Sequence, residues 1–143
     1  MFRARNHVVE KEYESVAGKV ATDAEGRYRS GKMHCAEAVL WAVKQEFAPR
    51  LEDRVVHLAA GFGAGSGSGC ICGAVCGGTM AFGLVLEDDR KGASALTREL
   101  HRWFKSEYGA TCCKVLSANG KSGCLALTAN VAGRVAQLLL EKK

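Results

Sequence analysis

The 143-residue chain has one proline and only 7% aromatic residues. A single proline excludes proline-rich linkers, and with them most long disordered connections. No segment approaches the roughly 18 consecutive apolar residues that a membrane span requires. The opening MFRARNHVVEKEYES carries no apolar stretch after its basic residues, so no secretory signal is expected, and a cytoplasmic location is the default expectation. Neither sign of charge dominates. Arg3, Arg5, Lys11, Lys19, Arg27, Arg29 and Lys32, and later Arg98, Arg102 and Lys105, alternate with acidic residues to a net charge of +5. Such interleaving reads as solvated helix faces rather than a basic stripe, so nucleic acid is not an expected partner.

Several chemical signatures are missing as well. No paired carboxylates and no Ser-His-Asp set stand out for hydrolysis. The stretch GFGAGSGSG at 61–69 only approaches a dinucleotide fingerprint, with no strand before it and no GK[ST] after it, so nucleotide binding is not expected. The absence of C-x-x-C removes the thioredoxin motif, and the absence of C-x-x-C-H removes covalent c-type haem.

What remains is an ordinary globular composition, 48% apolar and 24% charged, on a length that suits one core. Apolar residues recur at helical spacing nearly throughout. The periodicity predicts a helix from about Val8 to Tyr28, and a second, capped by Ser30, with Cys35, Ala38, Val39, Ala42 and Val43 on its buried face and an end near Pro49. A third runs from about Leu51 to Gly61 and carries Val55, Val56, Leu58, Ala59 and Phe62. After the Gly/Ser loop comes a buried, glycine-rich helix starting near Cys72. A helix from about Gly92 to Tyr108 bears Leu96, Leu100, Trp103 and Phe104, a short turn covers Cys112–Leu116, and a last helix runs from about Ser122 to Leu140. Met80, Phe82, Trp41 and Trp103 read as packing residues. The expected fold is all-α, a single-domain compact bundle of about five to seven helices over residues 1–143. Its small-residue helix faces are compatible with a homodimer.

The seven cysteines, at 35, 70, 72, 76, 112, 113 and 124, are the distinctive feature. Their odd number excludes a fully paired framework within one chain, and a reducing cytosol points to redox chemistry or metal ligation before structural disulfides. Cys72, Cys124 and Cys35 fall where helices are expected to begin, and a helix N-terminus favours thiolate over thiol. Cys72 and Cys76 are expected to share one helix face. The spacing C-x-C-x3-C with a distant CC matches neither zinc-finger pairs nor ferredoxin runs, so spacing by itself indicates redox or metal without choosing. The histidines, His7, His34, His57 and His101, are scattered, and His34 beside Cys35 is a candidate proton donor or ligand, with an ordinary surface histidine as its plainer reading.

The segments CAEAVL at Cys35–Leu40, FGAG at Phe62–Gly65, CGAVCGG at Cys72–Gly78 with MAFGL after it, CKVL at Cys113, and Cys124 resemble the C_GCAxxG_C_C family of redox-active proteins, over about residues 30–140. The resemblance implies that the family cysteines are Cys35, Cys72, Cys113 and Cys124, with Cys70, Cys76 and Cys112 as extras and Cys112 competing with Cys113 for its place. The family is also similar to the non-haem helical part of split-Soret cytochromes, where an iron–sulfur site accompanies such cysteines; lacking haem motifs, this chain could share only that part. Three expectations follow. The first is an electron-transfer protein whose four cysteines bind a [2Fe–2S] or [4Fe–4S] cluster and serve an unidentified redox partner protein. The second is a metal-free thiol–disulfide oxidoreductase with Cys72 as low-pKa attacking thiol and Cys113 or Cys35 resolving it. The third is a structural protein holding Zn²⁺ in the same four-cysteine site.

Overall fold

A computed structural model describes residues 7–63, 65–69, 71–116 and 123–142, without side chains at 7–14, 114 and 115. Cys70 and the expected helix start at Ser122 lie outside the described residues. The described chain forms six α-helices and no strand: α1 (His7–Arg29), α2 (Cys35–Phe47), α3 (Gly73–Val85), α4 (Arg90–Tyr108), α5 (Cys113–Leu116) and α6 (Cys124–Glu141). A 3-10 segment, Asp53–Phe62, and an irregular glycine–serine turn, Gly65–Gly69, bridge α2 to α3.

Two helix pairs organise the bundle. α1 lies along α6, and α2 lies along α3. Val20 and Ala24 of α1, Val39, Leu40 and Val43 of α2, Val75 and Phe82 of α3, Leu100 and Phe104 of α4, and Val131 and Val135 of α6 share one buried core. The α2–α3 contact is unusually close, and glycine makes it so. A Cβ on Gly77 would collide with the Ala36 carbonyl oxygen, and one on Gly73 would stand 2.6 Å from Cys35 Sγ and 2.9 Å from the Phe62 carbonyl oxygen. Gly78 performs the same service for the junction with α4 and α6, where a Cβ would meet Leu100 at 2.8 Å and Val135 at 2.9 Å.

Helix ends follow from local chemistry. The Asp89 carboxylate accepts from the Gly92 N–H at 2.8 Å and starts α4, while Gly109, at φ +80°, stops it. Ser30 does not begin α2 as the sequence suggests. Its hydroxyl donates to the Arg27 carbonyl at 2.7 Å and accepts from the Lys32 N–H at 3.2 Å, so it closes α1 instead. The cap of α2 is His34, whose own N–H donates to the Glu37 carboxylate at 2.8 Å. This reciprocal use of a glutamate three residues on is half of a capping box.

The expected third α-helix is replaced by the 3-10 segment. Three residues per turn put Val56 and Ala59 into the core, with Phe62 packed against it, and leave Leu58 72% exposed. The segment is tethered by Lys44, a lysine of α2 that is 1% exposed and reaches the Asp53 carboxylate at 2.8 Å. Gln45 donates to the same oxygen at 3.0 Å. These donors hold the Asp53 carboxyl below the usual carboxylate range.

Gly77→Ala is expected to destabilise the protein by about 1–3 kcal/mol, because a methyl there has only backbone to displace. Gly83→Ala, in the same helix with nothing within 4 Å of its added methyl, is expected to stabilise by up to about 1 kcal/mol. Urea midpoints of the two variants check the opposite signs.

Candidate redox site

Four helix beginnings carry cysteine. Cys35 is the first residue of α2, Cys113 the first of α5 and Cys124 the first of α6, while Cys72 immediately precedes α3. The bundle brings these four together. Cys35 lies within electrostatic reach of Cys72, Cys113 and Cys124, and Cys72 within reach of Cys113 and Cys124. Cys35, Cys113 and Cys124 line a cavity of about 350 Å³ together with Tyr28, Gly31, Met33 and His34. Cys72 is buried behind them, and Gly73 lets the Cys35 sulfur rest against the start of α3.

The connector that carries Cys72 is fixed by unusual backbone. Ser66, at φ +61°, and Ile71, at φ +52°, occupy left-handed conformations that cost about 1–3 kcal/mol each for side chains of this kind. The loop is stitched to the segment before α5: the Cys72 N–H donates to the Thr111 carbonyl at 2.6 Å, and the Cys112 thiol donates to the Gly69 carbonyl at 3.0 Å. That second bond separates the adjacent cysteines. Cys112 turns to the loop, and Cys113 faces the cavity.

The remaining cysteines stand apart in another way. Cys76, one turn into α3, is half-buried, and burial raises its thiol pKa, but none of the four site cysteines contributes to that shift. Cys72 is the cap of α3, and a bond from the Cys76 N–H to the Cys72 carbonyl at 3.2 Å sets Cys76 one turn further along. No disulfide joins the described cysteines. Among the described residues, no group of three or more His, Cys, Asp or Glu side chains is arranged to hold a single metal ion. The four thiols share an environment without forming a closed ligand set.

Helix beginnings do not make the Cys35 and Cys72 thiols acidic. The Ala36 N–H favours the Cys35 thiolate, and the N–H groups of Ala74 and Val75 favour that of Cys72. Burial outweighs them: Cys35 is pushed up to about 12 and Cys72 to about 11, with the neighbouring cysteines adding to the shift. This corrects the expectation of a low-pKa Cys72.

His34 is 62% exposed, with its ring packed against Gly63 and its edge on the cavity. Tyr28 is a member of the site that sequence reasoning missed. It lines the cavity with Cys35, Cys113 and Cys124, and burial, with these thiols nearby, raises its hydroxyl above the ordinary tyrosine value. The signal was present in the register of α1, since Val20, Ala24 and Tyr28 are four residues apart and continue one stripe.

Among the described residues the fold is all-helical, and Cys35, Cys72, Cys113 and Cys124 lie near one another within it. The family model described as "Putative redox-active protein (C_GCAxxG_C_C)" matches residues 33–138, which include all four cysteines, and the chain belongs to that redox-active family. No curated protein and no solved structure matches the chain. No helix among the described residues is long and apolar enough to cross a membrane.

The raised thiols give a pH signature to the metal-free protein. Between the ordinary cysteine value of 9.0 and about 11–12, the folded state keeps protons that the unfolded chain releases. Stability is therefore fully present below pH 9 and falls as pH rises through that window. Urea midpoints measured anaerobically from pH 8 to pH 11 are expected to decline, and less steeply in Cys35→Ala.

Proposed function

We propose that Cys35, Cys72, Cys113 and Cys124 bind an iron–sulfur cluster and that the protein transfers electrons to or from a partner protein. The observation that carries this reading is the meeting of four cysteine-bearing helix starts, three lining one cavity and Cys72 buried behind them. The starts of α2 and α3 supply partial positive charge, through the Ala36, Ala74 and Val75 N–H groups, where an anionic thiolate centre needs it.

The donor set fits such a group. The cavity lining offers soft sulfur and no carboxylate, which suits iron–sulfur chemistry better than hard cations. Burial keeps the unligated Cys35 and Cys72 thiols protonated, and a bound cationic group reverses that preference by drawing the protons off. When bound, the cluster supplies reversible one-electron transfer. The protein's residues hold and shield it: the Ala36, Ala74 and Val75 N–H groups face the sulfurs, and the buried start of α3 keeps water from Cys72. The cavity beside Tyr28 and His34 leaves one side approachable.

Disulfide exchange is the weaker reading, because a buried Cys72 thiol at about 11 is a poor nucleophile near neutral pH. Protein purified without oxygen is expected to be coloured, with matching iron and acid-labile sulfide. Serine at position 35, 72, 113 or 124 should each abolish or strongly deplete iron. Cys76→Ser and Cys112→Ser should retain it, the latter because serine can still donate to Gly69. Colourless protein with about one zinc released by thiol modification would make the centre structural instead. Metal-free protein that reversibly loses two thiols would make it a dithiol enzyme.

A further inference from the structure

Seven cysteines are more than a four-cysteine centre needs, and one of the surplus has a definite place in the fold. Cys112 stands beside Cys113, yet its thiol turns elsewhere. It donates to the Gly69 carbonyl oxygen at 3.0 Å, across 43 positions of sequence. The preceding residue adds a second tie, because the Thr111 carbonyl accepts the Cys72 N–H at 2.6 Å. Residues 111 and 112 thus hold both ends of the span 69–72, immediately before Cys113 opens α5. The Thr111 tie is backbone to backbone and makes no demand on side chains. The other needs a donor on the side chain at 112, and that is where the surplus cysteine falls.

The span needs holding. Ile71 sits at φ +52° with its side chain exposed. A β-branched residue in the left-handed region is strained, and such a conformation persists only where its surroundings over-determine it. We infer that Cys112 is a positioning residue of the four-cysteine centre: its thiol clasps the strained span 69–72 to the segment that leads into Cys113, and so fixes Cys72 relative to Cys113. The inference rests on the metal-centre reading proposed above, in which Cys112 is not a ligand. A hydroxyl at 112 can make the same bond, whereas alanine cannot. With the clasp removed, Ile71 is free to relax to negative φ, and the following residue moves with it. That residue is Cys72, which is 6% exposed, so release of the span registers as access to its sulfur.

The test uses the full chain, as wild type, Cys112→Ala, Cys112→Ser and Ile71→Gly, with Cys76→Ala as the control for losing a half-buried thiol. In reduced, metal-free protein, iodoacetamide capture of Cys72 is followed by peptide fragmentation in a mass spectrometer, at a single pH near 8. One side-chain hydrogen bond shifts a local opening equilibrium by about three- to tenfold. Cys112→Ala is therefore expected to speed Cys72 capture by about fivefold, with Cys112→Ser and Cys76→Ala within about twofold of wild type. Ile71→Gly, which takes a positive φ without strain, should slow capture by about threefold. Titration with Co²⁺ should give equal stoichiometry throughout, with binding about fivefold weaker in Cys112→Ala alone. Wild-type capture in Cys112→Ala overturns the inference. So does Cys112→Ser behaving as Cys112→Ala, and so does capture in Ile71→Gly that is unchanged or faster. Wild-type protein that binds neither cobalt nor iron overturns the metal-centre reading instead, and the capture rates still decide whether Cys112 holds Cys72 in place.

Discussion

The close approach of α2 to α3 is the constraint on which the site depends. Gly77 against the Ala36 carbonyl, and Gly73 against Cys35 and the Phe62 carbonyl, allow two helix starts to come within side-chain reach. With alanine in their place the helices would separate, and Cys35 and Cys72 with them. The glycines lower the intrinsic helicity of α3 by about 1 kcal/mol each, and the burial of Val75, Ala81 and Phe82 offsets that loss. The helix is thus held by its neighbours more than by its own propensity. The same small residues that weaken it locally make the site.

Two electrostatic effects oppose one another at the cysteines. Helix starts favour negative sulfur, and burial among other thiols disfavours it. In the metal-free protein burial wins at Cys35 and Cys72, as their raised values record. A positively charged group placed among the four would align both effects, since the N–H groups then face thiolates whose charge is compensated.

Much of this was legible in the residues. Helical periodicity located five of the six helices within a few residues, because their buried faces repeat at three and four and, for α2 and α4, Pro49 and Gly109 mark the ends. The 3-10 segment escaped, since Val55, Val56, Leu58 and Ala59 fit an α pattern as well as a three-residue one, and the decision came from a tertiary tether, Lys44 to Asp53, that periodicity does not encode. Ser30 was a plausible start for α2, but the same hydroxyl serves the preceding helix end equally well. The position of Cys35, Cys72 and Cys124 at helix beginnings was readable, whereas Cys113 was read within a short turn and opens a short helix; the outcome for the acidity of Cys35 and Cys72 was not readable, because burial depends on the packing of distant segments. Tyr28 carried a signal only in the register of α1, since the Cys124 it shares a cavity with is 96 positions away and is brought near by the pairing of α1 with α6.

The central claim is that the four convergent cysteines hold an inorganic group. Native mass spectrometry of the full chain, purified and sprayed without oxygen, tests it most directly. The account predicts a mass above that of the bare chain by an iron–sulfur cluster, less the thiol protons displaced, with the excess lost in denaturing acid. A native mass equal to the polypeptide alone, in protein whose thiols are all reduced, would contradict it.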